Sequence, residues 1–317
     1  MKKTTPDVVV KKSRGHNRLK QIRKETPYFV MMIIPVAFFL LFRYWPMFGI
    51  AIAFQNYKLG DPFISPDSAW VGLRWFKFLF GRPDFLRLVR NTLALSLLGM
   101  FISFPISIMF ALLLNEVRVR WLRTLTSNVS LLPYFISTVV IVGVMNNMFS
   151  LNDGIVNTLI AKLGGEKIDF MGNADWFRAM YTGSGIWQQT GFNAVVFTAA
   201  IAGIDPELYE AAALDGSNRW KNILHITIPC ILPTIIIMFL LKIGSLMSVG
   251  YEKIILMYTP TTYETADVLS TYAYRTGIGD QKYSLSTAIT LMNSVCNLIL
   301  LISANKLTKK VSETSLW

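Results

Sequence analysis

Long uncharged apolar runs, separated by short charged segments, dominate the pattern along this chain. Residues 91–114, 125–149, 179–203 and 283–305 contain no Asp, Glu, Lys or Arg. Two further runs, 26–54 and 222–251, each hold a single basic residue, Arg43 and Lys242. A helix needs roughly 20 apolar residues to cross a hydrocarbon core of about 30 Å. The pattern therefore predicts six spans, at about 28–54, 91–114, 125–149, 179–203, 229–251 and 283–305. The expected fold is all-α, an integral membrane helical bundle of one domain, 28–305. A basic tail, 1–27, precedes it and a short tail, 306–317, follows. Arg43 can snorkel to an interface where Tyr44 and Trp45 fit an aromatic belt.

Composition agrees with that pattern. Of 317 residues, 53% are hydrophobic and only 16% are charged, against roughly 25% charged in a soluble domain. Such a chain lacks the polar surface of a soluble enzyme or a disordered segment. Cys230 and Cys296 form no disulfide or metal spacing, and His16 and His225 form no cluster.

Net charge of +12 would fit nucleic acid, but its placement argues for topology instead. With both termini inside, the inner segments 1–27, 115–124, 204–230 and 306–317 hold 17 Lys and Arg, and the outer segments hold 12. Counting acids, the inner side carries +9 and the outer side +1. The positive-inside rule thus predicts N-terminus and C-terminus in the cytoplasm, and no nucleic-acid partner. One outer stretch, 73–90, mixes aromatics with five basic residues. It reads either as an amphipathic segment in the outer headgroup layer or as a surface packed on a partner protein.

The segment 204–230, on the inner side, carries the most local information. Asp205 can cap a helix whose first position is Pro206, with Glu207 and Glu210 in its first turns. Ala211, Ala212 and Ala213 are strong helix formers, and Gly216 is a stop. Ser217 or Asn218 can cap a second short helix that Pro229 ends. Glu210-Ala211-Ala212, Gly216 six residues after the Glu, nine more residues and then Ile226-x-Ile228-Pro229 resemble the EAA loop of bacterial ABC importer permeases; Ile228 replaces the expected Leu. The stretches LPYFIS at 132–137 and VGYEKIILMYTPTTYETADVLSTYAYRTG at 249–277 resemble carbohydrate permeases of the lipoprotein-dependent polysaccharide type.

This resemblance implies the binding-protein-dependent (type I) ABC importer permease fold, with the first span and the outer amphipathic stretch added to a five-span core. It implies that Glu210, Ala211, Ala212, Asp215 and Gly216 couple to an ATPase, two copies of which would serve the complex. It also implies a second homologous permease, an extracytoplasmic solute-binding protein docking on 150–178 and 252–282, and an oligosaccharide substrate. The chain has no G-x-x-x-x-G-K-[ST] loop. No cofactor is expected on it, and ATP and Mg would belong to the partner ATPase. The chain is expected to be a transporter subunit rather than an enzyme.

Polar residues within spans mark a pathway or glue helices together. The densest set is Trp187, Gln188, Gln189 and Asn193, and the resemblance to maltose-type permeases adds Phe192. After the loop, Ser245, Ser248, Tyr251 and Glu252 lie near that family's second contact stretch. Asn146, Asn147, Asn293 and Asn297 read more simply as interhelical hydrogen-bonding residues. Lys242 is thirteen residues past Pro229, about 20 Å along a helix, where a lone lysine costs roughly 2.5–3.5 kcal/mol. It either faces the pathway and selects an acidic, uronate-containing sugar, or pairs with an acid of the partner permease. An ion-coupled secondary transporter would show carboxylates in mid-span, which are absent. A non-transport membrane scaffold would not need the Gln-rich span.

Overall fold

The computed structural model describes residues 14–64, 69–312 and 315. Residues 1–13 of the expected basic tail, and 313, 314, 316 and 317 of the C-terminal tail, lie outside the described residues. Among the described residues the regular structure is helical, apart from one isolated bridge between Gln55 and Trp70. In chain order, α1 is Arg14–Phe39, α2 Arg74–Phe80, α3 Phe85–Leu98, α4 Phe104–Glu116 and α5 Arg120–Leu131. Next come α6 (Thr138–Phe149), α7 (Ile155–Lys162), α8 (Ala174–Ala202), α9 (Pro206–Leu214) and α10 (Arg219–Asn222). The chain ends with α11 (Ile228–Ile243), α12 (Tyr251–Met257), α13 (Tyr263–Ala266), α14 (Leu269–Tyr274) and α15 (Tyr283–Ser312). Wide π turns at Leu40–Tyr44, Gly99–Ser103 and Ile223–Thr227 join neighbouring helices.

Among the described residues, four helical runs are long and apolar enough to cross a bilayer: Glu25–Phe54, Phe85–Glu116, Arg219–Ile243 and Tyr283–Lys310. Arg120–Phe135 and Thr138–Phe149 make a fifth if a pair bent by 98° counts as one span. The sequence pattern gave six. The remaining one is α8, whose 29 residues are long enough, but whose Gln188, Gln189, Asn193 and glycines dilute its apolar character.

Three spans differ in shape from the expectation. The run 125–149 is broken rather than straight. Pro133 opens a single tight turn, Ile136 and Ser137 are extended, and the Ser137 side chain caps α6 by accepting from Val140 N at 3.4 Å. The span expected at 91–114 begins at Phe85, so the stretch 73–90 divides at Gly81 into α2 and the outer turns of α3. The fifth span does not start at Pro229. Helix runs continuously from Arg219, and the second short helix expected in 204–230 is its N-terminal end. Pro229 lies in the first turn of α11, just beyond the π turn Ile223–Thr227, where the hydrogen-bond ladder has already shifted. This helix also stops early, at Ile243, and the chain is unwound over residues 244–250.

Apolar side chains gather in three clusters. One joins Leu95, Ile141, Phe177, Val249 and Ile254. A second joins Leu79, Leu88, Met247, Leu269 and Leu285. The third joins Phe104, Ala111, Ala194, Phe197 and Ile231. The two halves of the second helical run, α3 and α4, therefore belong to different clusters on either side of the π turn Gly99–Ser103.

Candidate functional site

A cavity of about 260 Å3 opens at that junction. Three elements wall it. The first is the second helical run, through Leu95, Ser96, Gly99, Met100 and Ser103; the second is α8, through Tyr181, Thr182, Gly185 and Gln189. The third is the end of α11 with the unwound segment and α12, through Lys242, Ser245, Ser248 and Lys253. Thr182, Gly185 and Gln189 are spaced three and four apart, which places them on one helix face, and Tyr181 adjoins Thr182. No carboxylate lines the cavity, and among the described residues neither lysine forms an ion pair. The Lys253 ammonium donates to Tyr181 O at 3.3 Å and sits 5.0 Å from the centre of the Tyr181 ring. Thr182 is 9% exposed, and its hydroxyl has no hydrogen-bond partner. Two ammonium groups, an amide and several hydroxyls converge without an anion, which is chemistry suited to a polyhydroxylated acid.

Lys242 stands in the last turn of α11, one residue before Ile243, rather than in mid-helix. A cation there meets the negative end of the helix dipole and its free carbonyls. The helix break thus removes much of the difficulty that a mid-span lysine would carry.

The residues expected along a pathway are divided by the fold. Gln189, Lys242, Ser245 and Ser248 reach the cavity together. Trp187 turns away, onto an apolar hollow of about 430 Å3 with Met145, Met148 and Gly183. Gln188 donates to Ile136 O at 3.4 Å, across the break between α5 and α6. Phe192 stacks on Tyr134 with centroids 3.8 Å apart and planes 2° from parallel. Asn193 is half-buried and does not line the cavity. Tyr251 and Glu252 line a shallow hollow beside Tyr274, on which Tyr251 stacks at 4.9 Å. The reason is helical pitch, since consecutive residues of α8 point about 100° apart. Sequence reasoning missed Lys253, Thr182, Tyr181, Ser96 and Ser103. Thr182 was findable, seven residues before Gln189 on the same face; Lys253 needed the start of α12.

The loop 204–230 is built as its residues dictate. Asp205 caps α9 by accepting from Glu207 N at 3.0 Å, and Asn218 caps α10 by accepting from Lys221 N at 2.9 Å. Gly216 turns the chain with φ +72°, a left-handed conformation that suits glycine. Glu210, Ala211, Asp215 and Gly216 are exposed, and Ala212 is half-buried. Two apolar residues escaped the sequence reading: Leu214 is 90% and Trp220 70% exposed. The Tyr209 hydroxyl bonds Thr227 Oγ1 at 2.9 Å, tying α9 to the π turn below α11. Arg219 Nε lies 4.0 Å from Glu116 at the end of α4.

At the opposite end, Arg90 pairs with Glu264 at 2.7 Å, and its hydrogen bond holds that carboxyl below the usual range. Arg275 pairs with the buried Asp267 at 2.9 Å; burial opposes the guanidinium charge, but Asp267 and Tyr258 together more than offset it and raise the Arg275 pKa. Among the described residues, no group of three or more His, Cys, Asp or Glu could hold a metal ion.

Residues 103–313 match the family described as binding-protein-dependent transport system inner membrane component. The chain is 39% identical over 313 residues to the polygalacturonan/rhamnogalacturonan transport system permease protein YteP of Bacillus subtilis, covering 98% of this chain and 97% of that protein. Protein LplB of the same organism is 38% identical over 310 residues, covering 98% and 96%. Among solved structures, a chain of the bacterial alginate ABC transporter, in complex with a periplasmic protein that holds an alginate pentasaccharide, superposes with a TM-score of 0.85 at 37% identity. That match covers 94% of this chain and 99% of the other. A second, at 38% identity and the same TM-score, belongs to an ABC transporter that imports the acidic polysaccharide alginate.

Proposed function

This chain belongs to the family of binding-protein-dependent transport system inner membrane components, and we propose that it carries acidic, uronate-containing oligosaccharides through the cavity lined by Lys242 and Lys253. It is a multi-pass inner-membrane permease of the ABC importer type. The observation that carries the substrate reading is the pair of lysines facing a cavity without a carboxylate. Uronate carboxylates would accept from the ammonium groups, and sugar hydroxyls would exchange hydrogen bonds with Gln189, Ser245, Ser248 and Thr182. Relatives named for polygalacturonan and alginate transport support the same chemistry.

In this reading α8 is a sixth span, and both termini face the cytoplasm. The inner loop docks on an ATPase subunit, one of two, through Glu210, Ala211, Ala212, Asp215 and Gly216. Leu214 and Trp220 add apolar contact there. A second permease completes the pathway, and an extracytoplasmic binding protein delivers substrate from the outer side. ATP and Mg stay on the ATPase. ATP-driven closure of the two ATPases moves the spans as rigid bodies.

The test is uptake by the reconstituted complex of a trigalacturonate and of its fully methyl-esterified form. Lys242→Met and Lys253→Met should each lower uptake of the acid about tenfold, the equivalent of one charged hydrogen bond of about 1.4 kcal/mol. Uptake of the neutral ester should change little. An equal loss for both substrates would sink the charge reading.

A further inference from the structure

The break after α11 is held open by side chains from three other elements. Residues 244–250 run unwound beside the cavity. Part of the segment satisfies itself locally: Ser245 N bonds Lys242 O, Leu246 N bonds Ile243 O, and Ser248 N bonds Ser245 O. Three further backbone groups are met from outside the segment. Leu246 O accepts from the Ser96 hydroxyl on α3. Met247 N donates to Asn297 Oδ1 on α15 at 2.7 Å, and Val249 O accepts from Ser270 Oγ on α14 at 2.6 Å. Asn297 uses its other end as well, donating Nδ2 to Ser248 Oγ at 2.8 Å.

Irregular backbone at membrane depth persists only where protein or a cavity meets its polar groups. Here three backbone groups are each met from a different element, and the pins fall on consecutive or nearly consecutive residues. Met247 is buried and lines no part of the cavity, while its neighbours Leu246, Ser248, Val249 and Gly250 all line it. Pins on successive residues fix how the segment lies along the cavity wall. Asn297 is itself 8% exposed and lines no part of the cavity; Ser270 lines none either. Their contribution is therefore to the shape of the wall.

We infer that Asn297 and Ser270, with Ser96, are positioning residues for transport: they hold residues 244–250 in the one unwound conformation that presents Ser245 and Ser248 beside Lys242 and Lys253. This rests on the reading of the cavity as the substrate route. Losing a pin lets the segment sample other conformations, so substrate affinity falls although no contacting group has changed. Asn297 supplies an acceptor and a donor at once, which leucine of similar volume cannot do.

The experiment uses the complete transporter, with initial uptake of trigalacturonate measured over a range of concentrations and basal ATP hydrolysis used to report assembly. Asn297→Leu should raise KM about tenfold, and Ser270→Ala about threefold, at similar maximal rate. The double variant should raise KM by less than the product of the two, because both release the same segment. Lys242→Met serves as the reference for the route itself. If it raises KM while both pin variants leave KM unchanged, the positioning role is overturned and the route stands. If the pin variants raise KM and Lys242→Met does not, the pin stands and the lysine reading falls. Should Asn297→Leu fail to assemble, Ser270→Ala in the assembled complex decides, and an unchanged KM there overturns the inference. A lowered maximal rate with unchanged KM in both pin variants would also overturn it.

Discussion

Lys242 and Gly191 look alike in sequence, as polar or small exceptions in apolar runs, yet their physical roles differ. Lys242 was readable as a residue needing an anion or water. Its true setting was not, because the sequence does not reveal that α11 stops at Ile243. Gly191 was visible only as one glycine of a polar-rich span. In the structure it is the point where α8 touches α5: a Cβ there would lie 2.1 Å from Ser130 O and 2.4 Å from Ser130 C. Those are backbone atoms and cannot swing aside, so α5 or α8 must move. Gly191→Ala should destabilise the purified complex by about 1–3 kcal/mol, seen as a lower Tm. Gly183, two turns earlier, has no atom within 4 Å of its would-be Cβ. Gly183→Ala should hold or slightly raise the Tm, through helix propensity of up to about 1 kcal/mol. Equal Tm values for the two variants would mean that the close approach at Gly191 is not what matters.

Elements whose chemistry is local were legible, and those set by distant partners were not. The caps at Asp205 and Asn218 and the turn at Gly216 follow from residue types over a few positions, and each is present. The continuity of α10 into α11 was hidden because Pro229 reads as a stop, whereas the π turn before it absorbs the missing donor. The break in the 125–149 run was likewise hidden by the absence of charge, although Pro133 and Ser137 mark it once the fold is known. If the loop 204–230 couples to an ATPase as proposed, the continuous helix offers a mechanical path: force on α9 would pass through the Tyr209–Thr227 hydrogen bond, and thence along α11 to Lys242 at the cavity. Thr227 is 3% exposed, so this hydrogen bond is shielded from water at one end. Tyr209→Phe should remove about 1 kcal/mol of that link while leaving the ring in place. The expected outcome is fewer sugars moved per ATP hydrolysed, with ATPase binding intact; an unchanged ratio would assign the transmission elsewhere in the loop.

At the scale of the whole molecule, the same sequence features that marked a membrane protein also mark an incomplete one. The most apolar window of Glu25–Phe54 has no buried residue within the chain, so its surface meets lipid or another subunit. The cavity, by contrast, sits where the chain's own clusters meet, through Leu95 and Val249 of one and the neighbourhood of Met247 in another. Orientation then decides which end of the cavity loads. Helix α8 has 29 residues, which at 1.5 Å each put about 43 Å between its ends. With α8 as the proposed sixth span, residues 150–173 and the loop that begins at Asp205 would be on opposite sides of a bilayer. The proposed orientation, supported by the charge difference of +9 against +1, has the Asp205 side in the cytoplasm, where an ATPase would reach Gly216. Cysteine labelling in intact cells tests this directly, once Cys230 and Cys296 have been replaced by serine. Lys167→Cys should react with a membrane-impermeant maleimide added outside, and Ser217→Cys should react only after the membrane is opened. The reverse pattern would turn the molecule over, removing the coupling loop from its ATPase and with it the import direction.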